Sequence, residues 1–533
     1  MVARPARVLA VGAAGLLALT ACTSDREPGP GFSDAPTTSA SASASDALAT
    51  FYGQKVRWEG CPSDDEFLLQ GKDTFECATI KVPLDYGRPG DGSTELSILR
   101  RKVRDPRGSL VINPGGPGAS GVDYARAARV AVTRQLFSAY DVVGFDPRGV
   151  VRSDPVECLD DTQLDTFLAT DGTPDTPQEV TDLAATSQLL GVGCRSKSPE
   201  IAPFMDSESA TRDMDILRAV LGDEKLNFLG KSYGSYLGAQ YAELFPDRVG
   251  RVVLDGVLPS SLDSDELTLG QAKAFDLVLR RFVEDCITLE DCPLPRDVDA
   301  GMARIQQFIA DLDQDPLPGV GDRMLTQARG TDAIQAWLYA PPIEWEVLRF
   351  GLDVALQGDG SVLMEMVDDK TDRNQDGTFA NNGNEAFYAV SCLDRPAVGG
   401  VDHAAELAEQ WATEAPVFGA YMAWGNQACW QYPMGAGTAE AAGDPPVFRA
   451  QGSAPILVVS TKYDPATPYE WGVQVAQELD NATLLTFDGD GHTGYTSGST
   501  CIDTAVDAYF LDGTLPAQGT VCQPDAGRGG TGQ

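Results

Sequence analysis

The sequence predicts an α/β fold in which a mostly parallel sheet is interrupted by a long helical insertion. Short apolar runs end in glycine-rich turns and alternate with helical patterns, which is typical of parallel strands covered on both faces. Between about Leu258 and Phe448 the strand signal fades and helical patterns dominate. The predicted parallel strands are Ser109–Asn113, Tyr140–Phe145, Leu226–Gly230, Gly250–Asp255, Pro455–Ser460 and Ala482–Phe487.

A hairpin opens the predicted sheet. The apolar runs Cys77–Pro83 and Glu95–Val103 flank a glycine-rich turn, which favours two antiparallel strands. The folded part of the chain is therefore divided into a first core segment at residues 51–257, a helical lid insertion at residues 258–448, and the C-terminal part of the core at residues 449–533.

The first residues predict a lipoprotein signal peptide at residues 1–21. Two arginines precede an apolar run that is shorter than the ~20 residues of a membrane-spanning helix. The run ends in Leu19-Thr20-Ala21-Cys22, which resembles the lipobox of bacterial lipoproteins, in which the cysteine is lipidated. The alternative is an ordinary signal peptide with an incidental Cys22. Residues 22–50, rich in Pro, Gly, Ser, Thr and Ala, predict a flexible linker behind the lipidated cysteine.

The charge balance restricts the partners. The chain of 533 residues has 40 Lys and Arg against 78 Asp and Glu, a formal net charge of −38. It lacks the clustered cations that bind phosphate, so nucleic acid is excluded and docking on anionic lipid through protein charge is disfavoured. We expect membrane attachment through the lipid alone, on the extracellular face of the cell membrane, or secretion. Since the chain has only 2 His, no histidine-rich metal site is expected.

The cysteines fit an exported protein. Of the 11 cysteines, an even number remains once Cys22 is set aside, as in a fully oxidised chain. They form close sequential pairs, and no C-x2-C element indicates a metal site. The predicted disulfides join Cys61 to Cys77, Cys158 to Cys194, Cys286 to Cys292, Cys392 to Cys429 and Cys501 to Cys522.

A nucleophile elbow is predicted at Gly230-Lys231-Ser232-Tyr233-Gly234. The motif follows a predicted strand and precedes a helical pattern, which is the setting that a G-x-S-x-G turn requires. The Gly-Lys-Ser triplet also occurs in phosphate-binding loops, but those need a glycine where this chain has Lys225. Ser232 is therefore the candidate nucleophile.

A serine nucleophile needs a base, and the chain offers His403 and His492. His403 begins an apparent surface helix in the insertion, whereas His492 follows the last predicted strand, where the base of such a fold belongs. Asp464 follows the preceding strand and is the candidate acid; Asp488 and Asp490 are rivals in the loop of His492. The order Ser232, Asp464, His492 is that of α/β-hydrolases.

The catalytic roles follow from this triad. His492 would take the proton of Ser232 during its attack, and Asp464 would hold the imidazole in the correct tautomer. The oxyanion of the tetrahedral intermediate needs backbone N–H donors. Tyr233 is one predicted donor, and Gly116, in the glycine-rich loop 113–118, is the other.

Five motifs in order carry a family resemblance: Pro114–Gly118, Asp146–Gly149, Gly230–Gly234, Asp464–Pro468 and Gly491–His492. Together they resemble the prolyl-aminopeptidase-like group of α/β-hydrolases, and within it the secreted tripeptidyl aminopeptidases of actinobacteria. The resemblance spans roughly residues 51–522. It implies an α/β-hydrolase fold, no cofactor, and release of short peptides such as tripeptides from peptide substrates with a free N-terminus.

The chain departs from that group at two positions. Pro114 stands where the group has His before Gly-Gly-Pro-Gly, and Val151 replaces the second glycine of its Asp-x-Arg-Gly-x-Gly-x-Ser motif. Both positions bear on loop conformation and subsite shape.

An aminopeptidase must hold the ammonium group of its substrate at a fixed distance from Ser232, and a carboxylate binds that group strongly. Glu385 and Asp394, which flank Cys392 in the insertion, are the predicted anchors; alternatively, both are solvated surface acids. Two other functions stay open: an esterase or lipase-type serine hydrolase on the same fold, and a non-catalytic binding lipoprotein.

Residues 372–377 match the first half of a calcium-binding loop. The twelfth position of that loop is Gly383, where calcium needs a bidentate Glu, so we expect a polar turn.

Overall fold

The computed structural model describes residues 44–61, 74–397, 399–430, 432 and 445–526. The predicted signal peptide, Cys22 and most of the predicted linker lie outside the described residues.

The centre of the fold is a ten-stranded sheet, with strand order β1-β2-β3-β5-β4-β6-β7-β10-β11-β12. Strands β8 and β9 form a separate antiparallel pair. The strands of the described residues are β1 (Glu59–Gly60), β2 (Thr74–Pro83), β3 (Ser93–Lys102), β4 (Ser109–Asn113), β5 (Asp141–Phe145), β6 (Leu226–Lys231), β7 (Val249–Asp255), β8 (Leu317–Pro318), β9 (Met324–Leu325), β10 (Ile456–Tyr463), β11 (Ala482–Asp490) and β12 (Val521–Cys522).

The sheet is antiparallel at its beginning and parallel from β5 onward. Strands β2 and β3 form the predicted hairpin, with Thr79 opposite Ser97, and β3 pairs antiparallel with β5. All later pairs are parallel. Every residue of β4 and β5 is buried, as expected of parallel strands covered on both faces. The predicted α/β architecture is confirmed.

Helices cover both faces of the sheet, and each face has its own apolar core. Helix α8 follows β6 directly and packs against β6 and β7. The helices before the insertion are α1 (Ala44–Tyr52), α2 (Gly121–Arg126), α3 (Ala128–Ala131), α4 (Arg134–Ala139), α5 (Asp161–Ala169), α6 (Pro177–Lys197), α7 (Ser207–Leu221) and α8 (Tyr233–Leu244).

Between β7 and β10 the described chain forms only helices and the β8–β9 pair, at the position of the predicted lid. A third apolar core, built around Phe282, Trp345 and Phe418, stabilises this insertion. Its helices are α9 (Ser264–Cys286), α10 (Val298–Gln314), α11 (Gln327–Leu338), α12 (Trp345–Leu356), α13 (Ser361–Lys370), α14 (Gly383–Asp394), α15 (Gly400–Glu414), α16 (Gly419–Gly425) and α17 (Gln427–Trp430); α18 (Tyr469–Glu478) and α19 (Thr500–Asp512) then complete the core.

The end of the predicted linker needs correction. Residues 44–50 are not a flexible linker, because helix α1 already begins at Ala44. Leu48, Phe51 and Tyr52 pack against the core, and the Tyr52 hydroxyl donates to Asp215 at 2.5 Å. Burial of these three apolar side chains offsets the entropy of ordering a segment that composition alone marked as flexible.

Five disulfides form among the described residues, and they join the five pairs that sequential proximity predicts. The Cys158–Cys194 and Cys392–Cys429 bridges both belong to one apolar core, on one face of the sheet. Five disulfides in one chain are typical of an oxidising, extracytoplasmic compartment. Among the described helices, none is both long enough and apolar enough to span a membrane.

Candidate active site

The predicted triad lies at one edge of the sheet. Ser232 follows β6, Asp464 follows β10, and His492 follows β11 by one residue. These strands are parallel, so their carboxyl ends meet at the same edge, where ligands of open α/β sheets bind.

The elbow holds Ser232 in a strained conformation. Its φ is +54°, a left-handed value that L-residues rarely adopt. The Ser232 N–H donates to the carbonyl of Asp255 at 2.9 Å, and the Ser232 carbonyl accepts from the Ser235 N–H at 2.8 Å. A Cβ on Gly230 would lie 2.1 Å from the carbonyl oxygen of Gly234, so only glycine fits there. The motif's glycine therefore permits the sharp turn that raises the serine above the sheet.

Asp464 orients His492. The Nδ1 of His492 lies 2.8 Å from Asp464 Oδ1 and 3.0 Å from Oδ2. The carboxylate is itself fixed by the N–H groups of Ala466, Thr467 and Thr493, at 2.9, 2.8 and 3.1 Å. With Nδ1 bonded to the acid, Nε2 is the nitrogen left for a nucleophile.

A buried second carboxylate holds the loop behind His492. Asp255, at the end of β7, accepts from the N–H groups of Gly494 and Tyr495 at 2.7 and 2.9 Å. Lys231 donates to the Tyr495 carbonyl at 2.6 Å and lies 3.9 Å from Asp255. Burial raises the pKa of Asp255. Lys231 of the elbow motif thus helps Asp255 to hold the loop that follows His492.

The insertion also contacts the base. The backbone N–H of His492 donates to the carbonyl of Tyr339 at 2.9 Å. The rings of the two residues meet edge to face, with centroids 5.1 Å apart. Tyr339 directly follows helix α11.

The rival candidates have other partners. His403 lies in helix α15, and its Nε2 is 2.7 Å from Asp265. Asp488 pairs with Lys462 at 3.0 Å, and Asp490 with Arg281. None of the three contacts Asp464 or His492 in the described part of the chain.

The glycine-rich loop after β4 lies against the elbow. A Cβ on Gly115 would be 2.8 Å from the Cβ of Ser232 and 2.9 Å from the backbone nitrogen of Tyr233. The N–H of Tyr233 begins helix α8 and has no intrahelical partner, and within the described residues neither it nor the N–H of Gly116 donates a hydrogen bond. Both predicted oxyanion donors are therefore available beside Ser232.

The departure at Val151 has a local explanation. Val151 has a φ of +44°, so the backbone keeps the left-handed conformation that a glycine would adopt more easily. Its N–H donates to Asn382 Oδ1 at 2.9 Å, and the amide of Asn382 donates to the carbonyls of Gly149 and Val156, both at 2.9 Å. This asparagine of the insertion stabilises the strained loop.

A cavity of about 430 Å³ opens beside the elbow, between the sheet domain and the insertion. Gly116 and Tyr233 form part of its wall, together with aromatic side chains such as Phe387 and Tyr388. Phe167 of α5 and Leu183 of α6 complete the wall, a contribution that the sequence did not indicate. Its size and largely apolar lining are those of a ligand pocket.

The charged residues that line the cavity, among the described ones, are Asp332, Asp394 and Arg395. Arg395 donates to the carbonyls of Pro259 and Leu262, at 3.0 and 3.3 Å, and stacks on a tyrosine ring. Arg395 is thus held by backbone partners, and Asp332 and Asp394 are the negative charges among the described residues of the cavity wall.

The two predicted anchors differ in position. Glu385 does not line the cavity: its Oε1 accepts from the N–H groups of Cys158 and Leu159 at 2.6 and 2.7 Å, and so fixes a disulfide-bonded loop. This position does not fit the predicted role of Glu385 as an anchor. Asp394 does line the cavity, where its Oδ1 accepts from the Ser207 N–H at 2.7 Å and its Oδ2 from the Ser207 hydroxyl.

Three buried carboxyl groups should make the protein more stable at mildly acidic pH. Burial raises the pKa of Asp276, Asp332 and Asp394, each to about 6. A carboxyl whose pKa is raised on folding stabilises the fold below its unfolded pKa, and that stabilisation is lost as the pH rises through the folded pKa. We expect a higher thermal unfolding midpoint at about pH 5 than at about pH 7.5, at constant ionic strength.

Calorimetry or circular dichroism checks this expectation. Asp276→Asn, which removes one of the three titrations at a distance from the cavity, should reduce the pH difference. A midpoint that is lower at the acidic pH would contradict it.

The predicted polar turn forms at residues 372–377. Asp376 accepts from the N–H and hydroxyl of Thr378 at 3.0 and 2.7 Å, and Asp372 accepts from Asn381 at 3.0 Å. In the described residues, no group of three or more His, Cys, Asp or Glu side chains is arranged to hold a metal ion.

Comparison with known proteins identifies the family. Residues 108–340 match the alpha/beta hydrolase fold family, and residues 415–522 match the TAP-like protein family. Serine protease Hip1 of Mycobacterium tuberculosis is 34% identical over 88% of this chain and 91% of its own length. Carboxylesterase B of the same species is 33% identical over 88% of this chain and 90% of its length. Tripeptidyl aminopeptidase of Streptomyces lividans is 31% identical over 88% and 87%, respectively.

These relatives extend over nearly the whole folded chain, and their names include both proteases and an esterase. With the alpha/beta hydrolase fold, they show that the chain belongs to the TAP-like family of alpha/beta hydrolases and is a serine hydrolase.

Proposed function

We propose that the protein is a serine aminopeptidase that releases short peptides, tripeptides above all, from substrates with a free N-terminus. The observation that supports this function is the cavity beside the elbow of Ser232, whose wall contains two carboxylates, Asp332 and Asp394. An ammonium group loses its hydration in such a site, and a carboxylate is the side chain that best replaces it.

The proposed reaction begins with the attack of Ser232 Oγ on the scissile carbonyl carbon, while Nε2 of His492 takes the hydroxyl proton. The N–H groups of Gly116 and Tyr233 stabilise the oxyanion that forms. The imidazolium, stabilised by Asp464, then donates its proton to the leaving amine as the C–N bond breaks. A water molecule releases the peptide from the acyl-enzyme by the same steps, with His492 again as base.

Two of the three relatives described above are named as a protease and an aminopeptidase, and the third as a carboxylesterase. The esterase is therefore the second candidate. An ester substrate has no ammonium group, and the buried carboxylates would then have no role in its binding.

The experiment that separates the two functions compares free and N-acetylated tripeptidyl amides with a short acyl ester. Acetylation removes the positive charge, so it should lower kcat/KM by roughly ten- to a hundredfold, the worth of one charged hydrogen bond. A change in the side chain of the leaving group should have a smaller effect. Equal kcat/KM on free and acetylated amides, or turnover of the ester alone, would contradict the aminopeptidase.

We further propose that the protein is exported and attached to the membrane through a lipid on Cys22. The lipobox-like segment supports the attachment, and the five disulfides support an oxidising compartment.

A further inference from the structure

One face of helix α11 runs from the catalytic base into the cavity. Ala328, Asp332 and Gln335 line the cavity, and Tyr339 contacts His492. These four residues, which we call the α11 stripe, are spaced by four, three and four positions, so they lie on one side of the helix. The stripe connects the site of bond cleavage with the interior of the cavity.

Two polar groups of the stripe lack partners. The Nε2 of Gln335 is buried and has no hydrogen-bond partner within the described residues. Asp332 accepts the Tyr421 hydroxyl on Oδ1 at 2.7 Å, but no donor in the described structure meets its Oδ2. Buried polar groups are nearly always paired, since an unpaired one costs the full desolvation of that group. The pair therefore offers one donor and one acceptor to a ligand.

Among the described residues, no Lys, Arg or His side chain forms an ion pair with Asp332, although Arg329 and Lys370 lie close enough to act on its charge. The nearby Arg329 pairs with Asp165 at 2.6 Å, and the amine of Lys370 lies over the Tyr339 ring at 5.2 Å. Asp394, the other cavity carboxylate, differs in this respect, because Ser207 donates to both of its oxygens.

We infer that Asp332 and Gln335 bind the first residue of the substrate. In this arrangement Asp332 Oδ2 accepts from the terminal ammonium group, and Gln335 Nε2 donates to the carbonyl of the same residue. The ligand chemistry is a cation with an adjacent carbonyl, which a free peptide N-terminus supplies. The inference rests on the proposed function and names the residues that give it its substrate length.

The distance between Asp332 and Tyr339 along the helix would set the length of the released peptide. Asp332 precedes Tyr339 by seven residues, which is about 10 Å along a helix axis. Three residues of extended peptide span about the same distance, at most about 10 Å. A substrate whose ammonium group lies at Asp332 thus presents its third peptide bond near His492, and a tripeptide is the product.

A ladder of alanyl substrates tests the inference. The purified protein is given 4-nitroanilides of one, two, three and four alanines, and the short acyl ester. The unaltered protein should show its highest kcat/KM on the three-residue substrate. Asp332→Asn should lower that value by roughly ten- to a hundredfold, and it should lower the values on the one-residue anilide and the ester by a clearly smaller factor.

Two further variants complete the test. Gln335→Met keeps the volume but removes the donor, so it should also lower kcat/KM on three residues relative to one. Glu409→Gln removes an exposed carboxylate from helix α15, outside the cavity, and should leave kcat/KM on every substrate of the series unchanged. Ester turnover in each variant reports that the fold and the catalytic groups are intact.

The outcomes are distinguishable. If Asp332→Asn and Glu409→Gln give the same ladder while acetylation still suppresses cleavage, the aminopeptidase stands and the assignment to the α11 stripe is wrong. If the unaltered protein has the same kcat/KM on free and N-acetylated tripeptidyl amides, the proposed function itself is wrong.

Discussion

Ser232→Ala and His492→Ala are each expected to lower kcat by about a millionfold on any substrate that the protein cleaves. Without Oγ no acyl-enzyme forms, and without the imidazole the hydroxyl keeps its proton and is a poor nucleophile. Because the two groups act as a unit, the double variant should be little worse than either single one. Steady-state kinetics on the preferred tripeptidyl anilide measure all three.

His403→Ala is the matched control, since it removes the other histidine of the chain. His403, in helix α15, is paired with Asp265 of helix α9, so its loss should leave kcat within about twofold, as for most surface substitutions. A severe loss in His403→Ala together with a normal rate in His492→Ala would reverse the assignment of the base.

Asp464→Asn is expected to lower kcat by roughly ten-thousandfold. The amide is nearly isosteric with the carboxylate, so the fold should persist, but it cannot stabilise the imidazolium and it favours the wrong tautomer of His492. The effect should be visible on both amides and esters, because both reactions pass through the imidazolium. Parallel unfolding curves would establish that the variant is folded.

Asp488→Asn and Asp490→Asn are the controls for this prediction, since both acids lie in the strand and loop of His492. Their partners are Lys462 and Arg281, and we expect losses of less than tenfold. If either variant loses as much activity as Asp464→Asn, the residue changed in that variant would be a candidate for the catalytic acid.

The sequence predicted the parts of the fold that depend on local pattern. The six parallel strands that the sequence predicted have continuous apolar runs, and the elbow has a fixed spacing of small residues around Ser232. Asp464 and His492 were found because each follows a strand, and parallel strands bring their carboxyl ends to one edge. Such features are properties of short segments, and tertiary packing preserves them.

The cavity could not be predicted in the same way. Whether Glu385 or Asp332 faces a ligand depends on how each helix is rotated against its neighbours, and the sequence does not show that rotation. Both acids lie on helices of the insertion; Glu385 fixes the backbone at Cys158, and Asp332 lines the cavity. Asp332, Gln335 and Tyr339 have the spacing of residues on one side of a helix, but the sequence does not show that Tyr339 contacts His492.

The hydrogen bond between Tyr339 and His492 has a consequence for the way in which substrate arrives. If the insertion moved away from the sheet domain, the backbone N–H of His492 would lose its acceptor, the carbonyl of Tyr339. The loop at Val151 would lose the support of Asn382. These contacts tie the insertion to His492 and to the loop after β5. If the insertion keeps them during turnover, the proposed aminopeptidase would receive a polypeptide end first, and its preference for termini would depend on the position of the insertion as well as on the ammonium anchor.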